Sequence, residues 1–247
     1  MPAVCLVVPC YNEERRLPVP ELCAFLDARA DTSLCLVDDG SADGTLRLLQ
    51  SLAAERPDQI LVHAVSPNGG KAAAVRAGVR HVAALGRWDL IGYWDADLST
   101  PLGEIDRLLA TLASEPRCLI AMGSRVKLLG ARIERRVMRH VLGRIFAACA
   151  SLILGFPVYD SQCGAKLFRR EIVDVFFGEP FSTRWLFDLE ILARLRNHLG
   201  VAGMDRAREV PLSAWLEVGG SKLRMSEMIG VPLELLQIRK RYNITPA

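Results

Sequence analysis

The sequence predicts an open α/β fold on a mostly parallel central sheet, flanked by helices and closed by C-terminal amphipathic helices. Three observations carry that reading. Short apolar, β-branched runs alternate with amphipathic helical stretches, the pattern of βαβ units. At 247 residues, 51% hydrophobic and 24% charged, the chain can bury the core of one such domain. The early strands end on acids and amides, where open α/β sheets bind their ligands.

The elements follow in order. Val4 to Pro9 reads as a buried strand. Glu14 to Ala30 reads as a helix with Leu17, Leu22, Phe25 and Leu26 as its apolar positions. Ser33 to Val37 is a second strand, and Asp43 a candidate N-cap for a helix over Thr45 to Ala54. Ile60 to Val65 is a third strand, Gly70 to Leu85 an alanine-rich helix, and Leu90 to Trp94 a fourth strand running directly onto Asp95. Leu102 to Leu112 is helical and Cys118 to Met122 is a strand. Ala131 to Leu154 reads as one long helix, with Ile133, Val137, Val141 and Ile145 at four-residue spacing and Arg132, Arg135, Arg136, Arg139 and Arg144 mostly on the remaining arc. Gly164 to Arg169 is a short strand, Phe187 to Leu199 a helix, and Glu209 to Leu212 an edge strand. Leu223 to Arg241 is amphipathic, with Pro232 expected to kink or break it. One domain is expected, in two halves, 1–125 and 126–247.

Composition narrows the function. A net charge of +3 is too small to imply nucleic-acid binding. The seven cysteines lie mostly in apolar runs and form no CxxC pair, so reduced, buried thiols in a cytosolic protein are expected. Met1 leads straight into a strand-like run, so no leader peptide is expected. The longest uncharged stretch, Ile145 to Tyr159, falls short of the ~20 residues that span a bilayer. Any membrane contact is therefore expected to be peripheral, on the cytoplasmic face. The four histidines show no metal-ligand spacing.

Four motifs carry the chemistry. Asp95-Ala96-Asp97 follows a wholly apolar strand; burying two carboxylates without a cation is costly, and such a pair suits Mg²⁺ or Mn²⁺ completed by substrate phosphates. In VDDGSADGT, Asp38 and Asp39 also end a buried strand, where an acid can accept from a ribose hydroxyl or a base N–H. Asn68-Gly69-Gly70-Lys71 opens a helix whose N-terminus favours anions, with Lys71 able to pair with a phosphate or an acid. It is not a Walker A loop, and the chain has no GxGxxG fingerprint. The fourth motif is DSQCGAKLF, Asp160 to Phe168.

With VVPCYNEE at Val7 to Glu14, these motifs in this order resemble family 2 glycosyltransferases with the GT-A fold, over essentially the whole chain. Asp160-Ser161-Gln162-Cys163-Gly164 with Lys166 and Phe168, Arg184-Trp185 with Phe187-Asp188 and Glu190, Trp215-x-Glu217 and Gly220-Ser221-Lys222-Leu223 resemble the dolichyl-phosphate β-glucosyltransferases and related polyprenyl-phosphate enzymes. The resemblance implies that Pro9, Tyr11, Glu13 and Asp39 hold the base and ribose, with Asp38 nearby and Lys71 bordering the nucleotide. It implies Asp95 and Asp97 on the metal and diphosphate and Arg125 on the sugar or acceptor-phosphate side. Gln162, Lys166 and Asp188 would line the acceptor and sugar pocket. Ser99 stands where some lipid-phosphate mannosyltransferases place a further metal-binding side chain.

The implied reaction is an inverting transfer of a sugar from a nucleotide sugar, with UDP-glucose the leading donor, to a polyprenyl phosphate. Its partners are the donor, the lipid phosphate and a membrane surface, which the arginine-rich helix is expected to meet. An acceptor hydroxyl would instead need a carboxylate base, for which Asp188 is the best-placed residue. The other readings are a family 2 enzyme for a soluble hydroxyl acceptor and a non-catalytic relative serving as a binding subunit.

Overall fold

The computed structural model describes residues 2–134, 137–183, 185–217 and 230–244. Its centre is a seven-stranded sheet in the order β3-β2-β1-β4-β7-β5-β8. These strands are β1 (Val4–Cys10), β2 (Thr32–Asp39), β3 (Ile60–Val65), β4 (Leu90–Trp94), β5 (Ile120–Ser124), β7 (Ala165–Arg169) and β8 (Ala207–Pro211). All pairs are parallel except those of β7, which runs antiparallel to both β4 and β5. The mostly parallel α/β sheet expected from the sequence is therefore present. A small second sheet pairs β6 (Arg132–Glu134) with β9 (Ala214–Leu216) in parallel.

β1, β2 and β4 are continuous apolar runs because both faces of a parallel sheet are covered by helices. Val4, Leu6 and Val8 face one core with Trp94 and Leu102, while Cys5 and Val7 face the other with Tyr93 and Phe168. The first core lies under α1 (Val19–Asp27), α2 (Thr45–Glu55) and α4 (Ile105–Ser114). The second lies under α3 (Lys71–Leu85), α5 (Val137–Leu154), α6 (Val173–Phe177), α7 (Phe187–Leu199) and α8 (Val231–Arg241). The small residues of α3 let it sit close to the sheet. A Cβ on Gly78 would stand 2.5 Å from Val37 and 2.6 Å from Val7, so any side chain there would force helix and sheet apart.

Several boundaries differ from expectation. α1 starts at Val19, not Glu14. Pro18 and Pro20 flank its first residue, and proline belongs to a first turn rather than a helix interior. Residues 14–16 form turns instead, with the amides of Arg16 and Leu17 donating to the Glu13 carbonyl. The N-cap of α2 is Gly44, not the expected Asp43; Asp43 stands one residue earlier and accepts from the Thr45 amide at 3.0 Å.

The single helix expected over Ala131 to Leu154 is broken. Arg132–Glu134 is a strand, held by β9, and the helix begins at Val137. The expected basic arc is therefore not one helix face, and the side chain of Arg139 lies outside what the structure describes. Arg132 lies on β6, paired to Glu134 at 2.8 Å. Arg135 and Arg136 fall outside the described residues, and Arg144 is turned onto Tyr159. Pro232 sits in the first turn of α8 and opens that helix rather than kinking it; residues 223–229 of the expected stretch lie outside the described residues. All seven cysteines are free thiols, and five are buried. No helix among the described residues is long and apolar enough to cross a membrane.

Candidate active site

The strand order reverses at β1, with β2 on one side and β4 on the other, so the carboxyl ends of these strands open a crevice at the topological switch point. Register lines up their final residues: Cys10 lies beside Asp38, Asp39 beside Val65, and Val7 beside Tyr93.

The first wall is two loops laced together. After Pro9, Asn12 takes a left-handed backbone (φ 52°); its amide donates to Ser41 Oγ at 3.0 Å and its Oδ1 accepts from the Ala42 amide at 2.9 Å. The Glu13 amide donates to Thr45 Oγ1 at 2.8 Å. Glu13 is buried, while Tyr11 stays 38% exposed at the crevice rim.

Asp38 and Asp39 diverge. Asp39 accepts from the amides of Gly69 and Gly70 at 2.9 and 2.8 Å and from Asn68 Nδ2 at 2.9 Å. It fixes the loop that launches α3 and Lys71. Asp38 accepts from the Ser41 amide through Oδ2, while its Oδ1 is buried with no hydrogen-bond partner.

The second wall is the acid pair after β4. The Asp95 amide donates to the Gly164 carbonyl at 3.0 Å, and its carboxylate pairs with Lys71 Nζ at 2.5 Å. Burial alone would lower the Lys71 pKa, but Asp95 and then Asp188 outweigh it and hold the ammonium above its ordinary value. Asp97 accepts from the Ser99 amide at 3.0 Å, which turns the loop back. A Cβ at Gly164 would lie 2.0 Å from Asp95 Oδ2, so a side chain there would push that carboxylate out of its present place.

Beneath the crevice is a buried polar unit. Lys166, on β7, is fully buried and donates to the carbonyls of Ser161 and Cys163 at 2.9 and 2.6 Å. It also meets Asp188 Oδ1, which accepts as well from the Tyr93 hydroxyl. Burial first, and Asp188 second, push the Tyr93 pKa well above its ordinary value. Asp188, the residue set aside as a base, is thus committed to a buried lysine and a phenol.

Arg125 stands at the far end of the crevice. Its Nε and Nη2 make a bidentate pair with Asp160, both at 2.7 Å, and its amide donates to the same carboxylate at 3.0 Å. The guanidinium lies 5.4 Å from the Trp215 ring centroid. Burial works against its charge, yet Asp160 raises its pKa above the ordinary value. Gln162 follows Asp160, and its Nε2 is buried without a partner.

Two acids absent from the sequence reading hold this end together. Glu209 accepts the amides of Tyr159 and Asp160 at 2.8 and 2.6 Å. Glu104, 5% exposed, accepts the amides of Ser213 and Ala214, both at 3.0 Å, just before Trp215. Nothing in the sequence marks them: a glutamate on a helix or edge strand reads as a solvated side chain.

The structure brings Pro9, Tyr11, Glu13, Asp38, Asp39, Lys71, Asp95 and Asp97 to the carboxyl ends of β1, β2 and β4 and to the loop before α3. Arg125, Gln162, Lys166 and Asp188 lie on the side next to β7. The buried polar atoms left unpartnered among the described residues include Asp38 Oδ1, Ser124 Oγ, Ser161 Oγ and Gln162 Nε2, all in the crevice motifs or beside Arg125. Orphaned groups are rare in native folds, and their concentration here suits a polar ligand.

Sheet, switch point and acid-rich crevice together describe a GT-A fold. Solved structures agree: mannosyl-3-phosphoglycerate synthase from Rubrobacter xylanophilus superposes with a TM-score of 0.69 at 20% identity, covering 98% of this chain and 75% of the other. Glucosyl-3-phosphoglycerate synthase from Mycobacterium tuberculosis, in complex with UDP, gives 0.64 at 19%, covering 100% and 82%. The chain belongs to glycosyl transferase family 2, whose model matches residues 5–177, and it is an enzyme of that class. It is similar to a dolichyl-phosphate beta-glucosyltransferase of Trichomonas vaginalis, 34% identical over 94% of this chain and 69% of the relative. The human enzyme of the same name is 31% identical, covering 96% and 75%.

Proposed function

We propose that the protein transfers glucose from UDP-glucose to a polyprenyl phosphate, with inversion at the anomeric carbon. The observation that carries this reading is the crevice itself. Unpartnered Asp38 Oδ1 and exposed Tyr11 lie at the nucleotide end and Arg125 at the other, with the Lys71–Asp95 pair between them. Relatives named dolichyl-phosphate beta-glucosyltransferase, at 28–34% identity across most of the chain, support the sugar and the acceptor class.

In this reading Pro9, Tyr11, Glu13, Asp38 and Asp39 hold the base and ribose, Asp39 through the Asn68–Gly70 loop it orders. Residues 1–125 supply the nucleotide half and 126–247 the acceptor half. Asp95 and Asp97 fit a divalent cation: both are oxygen donors of the kind Mg²⁺ or Mn²⁺ prefers, and Asp95 already demands a positive partner, which Lys71 supplies. Bound there, the ion would supply Lewis-acid stabilisation of the charge gathering on the leaving diphosphate. Lys71 adds a second positive group beside the same oxygens.

The acceptor side needs little proton chemistry. A phosphate oxygen is anionic near neutral pH and attacks directly, so no base is required. Asp188, buried with Lys166 and Tyr93, then serves as a support rather than a base. Arg125 holds the acceptor phosphate through the guanidinium nitrogen not engaged with Asp160, and Gln162 Nε2 donates to the phosphate or the sugar. A polyprenyl acceptor brings the enzyme to a membrane face as a peripheral protein.

The test is a paired screen with Mn²⁺ or Mg²⁺ present: UDP-glucose against GDP-mannose as donors, and a polyprenyl phosphate against a soluble glycan hydroxyl as acceptors. Glucose transfer to the lipid phosphate is expected. Transfer only to the hydroxyl acceptor would overturn the acceptor reading, and transfer only from GDP-mannose the donor reading.

A further inference from the structure

Five of the large apolar side chains exposed to solvent among the described residues lie on one pair of helices. On α5, Leu142, Ile145 and Leu152 are 36, 57 and 75% exposed, with exposed Cys149 between them. At 100° per residue these four positions fall within about 80° of arc, so they form a single stripe. On α8, Leu233 and Leu236 are 65 and 54% exposed. The two helices pack on each other and share a core through Ala150, Leu154, Leu235 and Ile238. Their inner faces are thus spent on the fold, while these leucine and isoleucine side chains remain on their outer faces. Single exposed leucines need no explanation, but a grouped set marks an interaction surface.

We propose that the outer face of α5 and α8 docks on an anionic lipid bilayer and so brings the acceptor end of the crevice to the headgroups. This rests on the polyprenyl-phosphate reading above. Two further observations select lipid as the occupant. The first is charge: the last turn of α8 carries Arg239, Lys240 and Arg241 against the single acid Glu234 of its first turn, and the α5 segment contains no acid. An apolar face with a basic border suits the interface of an anionic membrane.

The second is continuity with the site. Arg144 donates to the Tyr159 carbonyl at 3.2 Å and lies 3.8 Å from the centre of its ring. Ser151 Oγ accepts from the Val158 amide at 3.0 Å. The next residue after Tyr159 is Asp160, which grips Arg125. The apolar helix is therefore bonded to the strip of chain that sets the arginine for the acceptor phosphate. Docking α5 on the bilayer fixes that arginine near the plane where a lipid phosphate lies.

The surface is the one that Ile145→Ser, Leu152→Ser and Leu236→Ser alter, all at exposed positions that leave the core intact. The measurement is sedimentation with phosphatidylcholine vesicles containing about 30% phosphatidylglycerol, together with the emission of an environment-sensitive dye on Cys149 in a Cys23→Ser background. Wild type should bind at low salt with a blue shift of the dye. The triple variant should partition roughly tenfold less while keeping transfer to a short-chain, water-soluble prenyl phosphate. Equal partitioning of the variant, or no binding of wild type at low salt, overturns the proposal. So does a wild-type dimer that the substitutions dissolve without any effect of lipid. Failure of both proteins on the soluble prenyl phosphate, with vesicle binding intact, overturns the acceptor reading instead and leaves the docking face standing.

Discussion

Lys71 Nζ lies 2.5 Å from Asp95 Oδ1, so the first acid of the Asp95–Asp97 pair already has a cation of the protein's own. The lysine comes from the first turn of α3 and the acid follows the end of β4; Asp39 fixes the loop that precedes Lys71 and so sets where the lysine starts. A divalent ion taken up at Asp95 must share that carboxylate with the ammonium.

Removing the ammonium should therefore tighten metal binding in the free protein while harming turnover. Lys71→Met is expected to bind Mn²⁺ roughly tenfold more tightly, the equivalent of about 1.4 kcal/mol, as read by the loss of the free-ion signal in electron paramagnetic resonance. Unchanged Mn²⁺ affinity would mean that the two cations do not compete.

Metal removal gives a second prediction. Excess EDTA should abolish transfer and added Mn²⁺ or Mg²⁺ restore it, while Asp97→Ala should slow transfer by at least several tens-fold, as loss of charge stabilisation at the leaving group implies. Full activity in EDTA would sink the metal assignment.

Glu209 and Glu104 are expected to act on the acceptor through Arg125. Glutamine at 209 keeps one acceptor oxygen but turns an NH₂ toward one of two backbone N–H donors. Glu209→Gln should raise KM for the acceptor phosphate by roughly tenfold, about one lost charge-assisted hydrogen bond, and leave KM for the donor nearly unchanged. A parallel rise in both constants would reduce Glu209 to a fold residue.

The buried Lys166–Asp188 pair should show itself in stability. Breaking such a pair from one side typically costs about 3–5 kcal/mol, because it leaves an uncompensated charge. Lys166→Met alone should unfold at markedly lower urea, and adding Asp188→Leu should recover part of the loss. A single variant as stable as wild type would show that the pair is not desolvated in solution.

His63, on β3, stacks on His81 of α3 with ring centroids 4.6 Å apart. Burial first, and the His81 charge second, lower its pKa. A base with a depressed folded pKa resists protonation in the native state, so its contribution is present above the unfolded value near ~6.5 and lost as pH falls below it. The melting temperature should fall between pH 7.5 and pH 5.5, and His63→Phe should flatten that slope.

Much of the crevice could be read from sequence because its strands are unbroken apolar runs that stop abruptly on Asp38, Asp39 and Asp95. Burial and chemistry change at the same residue, and that is a local signal. β6 could not be read this way. Its partner, Ala214–Leu216, lies some eighty residues on, and Arg132–Glu134 alone carries no strand pattern distinct from the helix that follows. The start of α1 was obscured by apolar spacing that continues through two prolines. Glu104 and Glu209 stayed hidden for another reason: their partners are backbone amides, which every residue possesses, so no complementary side chain in the sequence points to them.

β7 has a consequence for how the chain is made. It lies between β4 and β5 and is hydrogen-bonded to both. When the ribosome has released the first five strands, β4 and β5 have no shared edge and a slot stands open between them. The slot closes only when Ala165–Arg169 emerges and brings Lys166 into the interior. Until then β4 is an unprotected strand edge, the kind that invites pairing with other nascent chains. Synthesis must therefore run some forty residues past β5 before the sheet can seal, and a chaperone that shields β4 during that interval would raise the yield of folded enzyme.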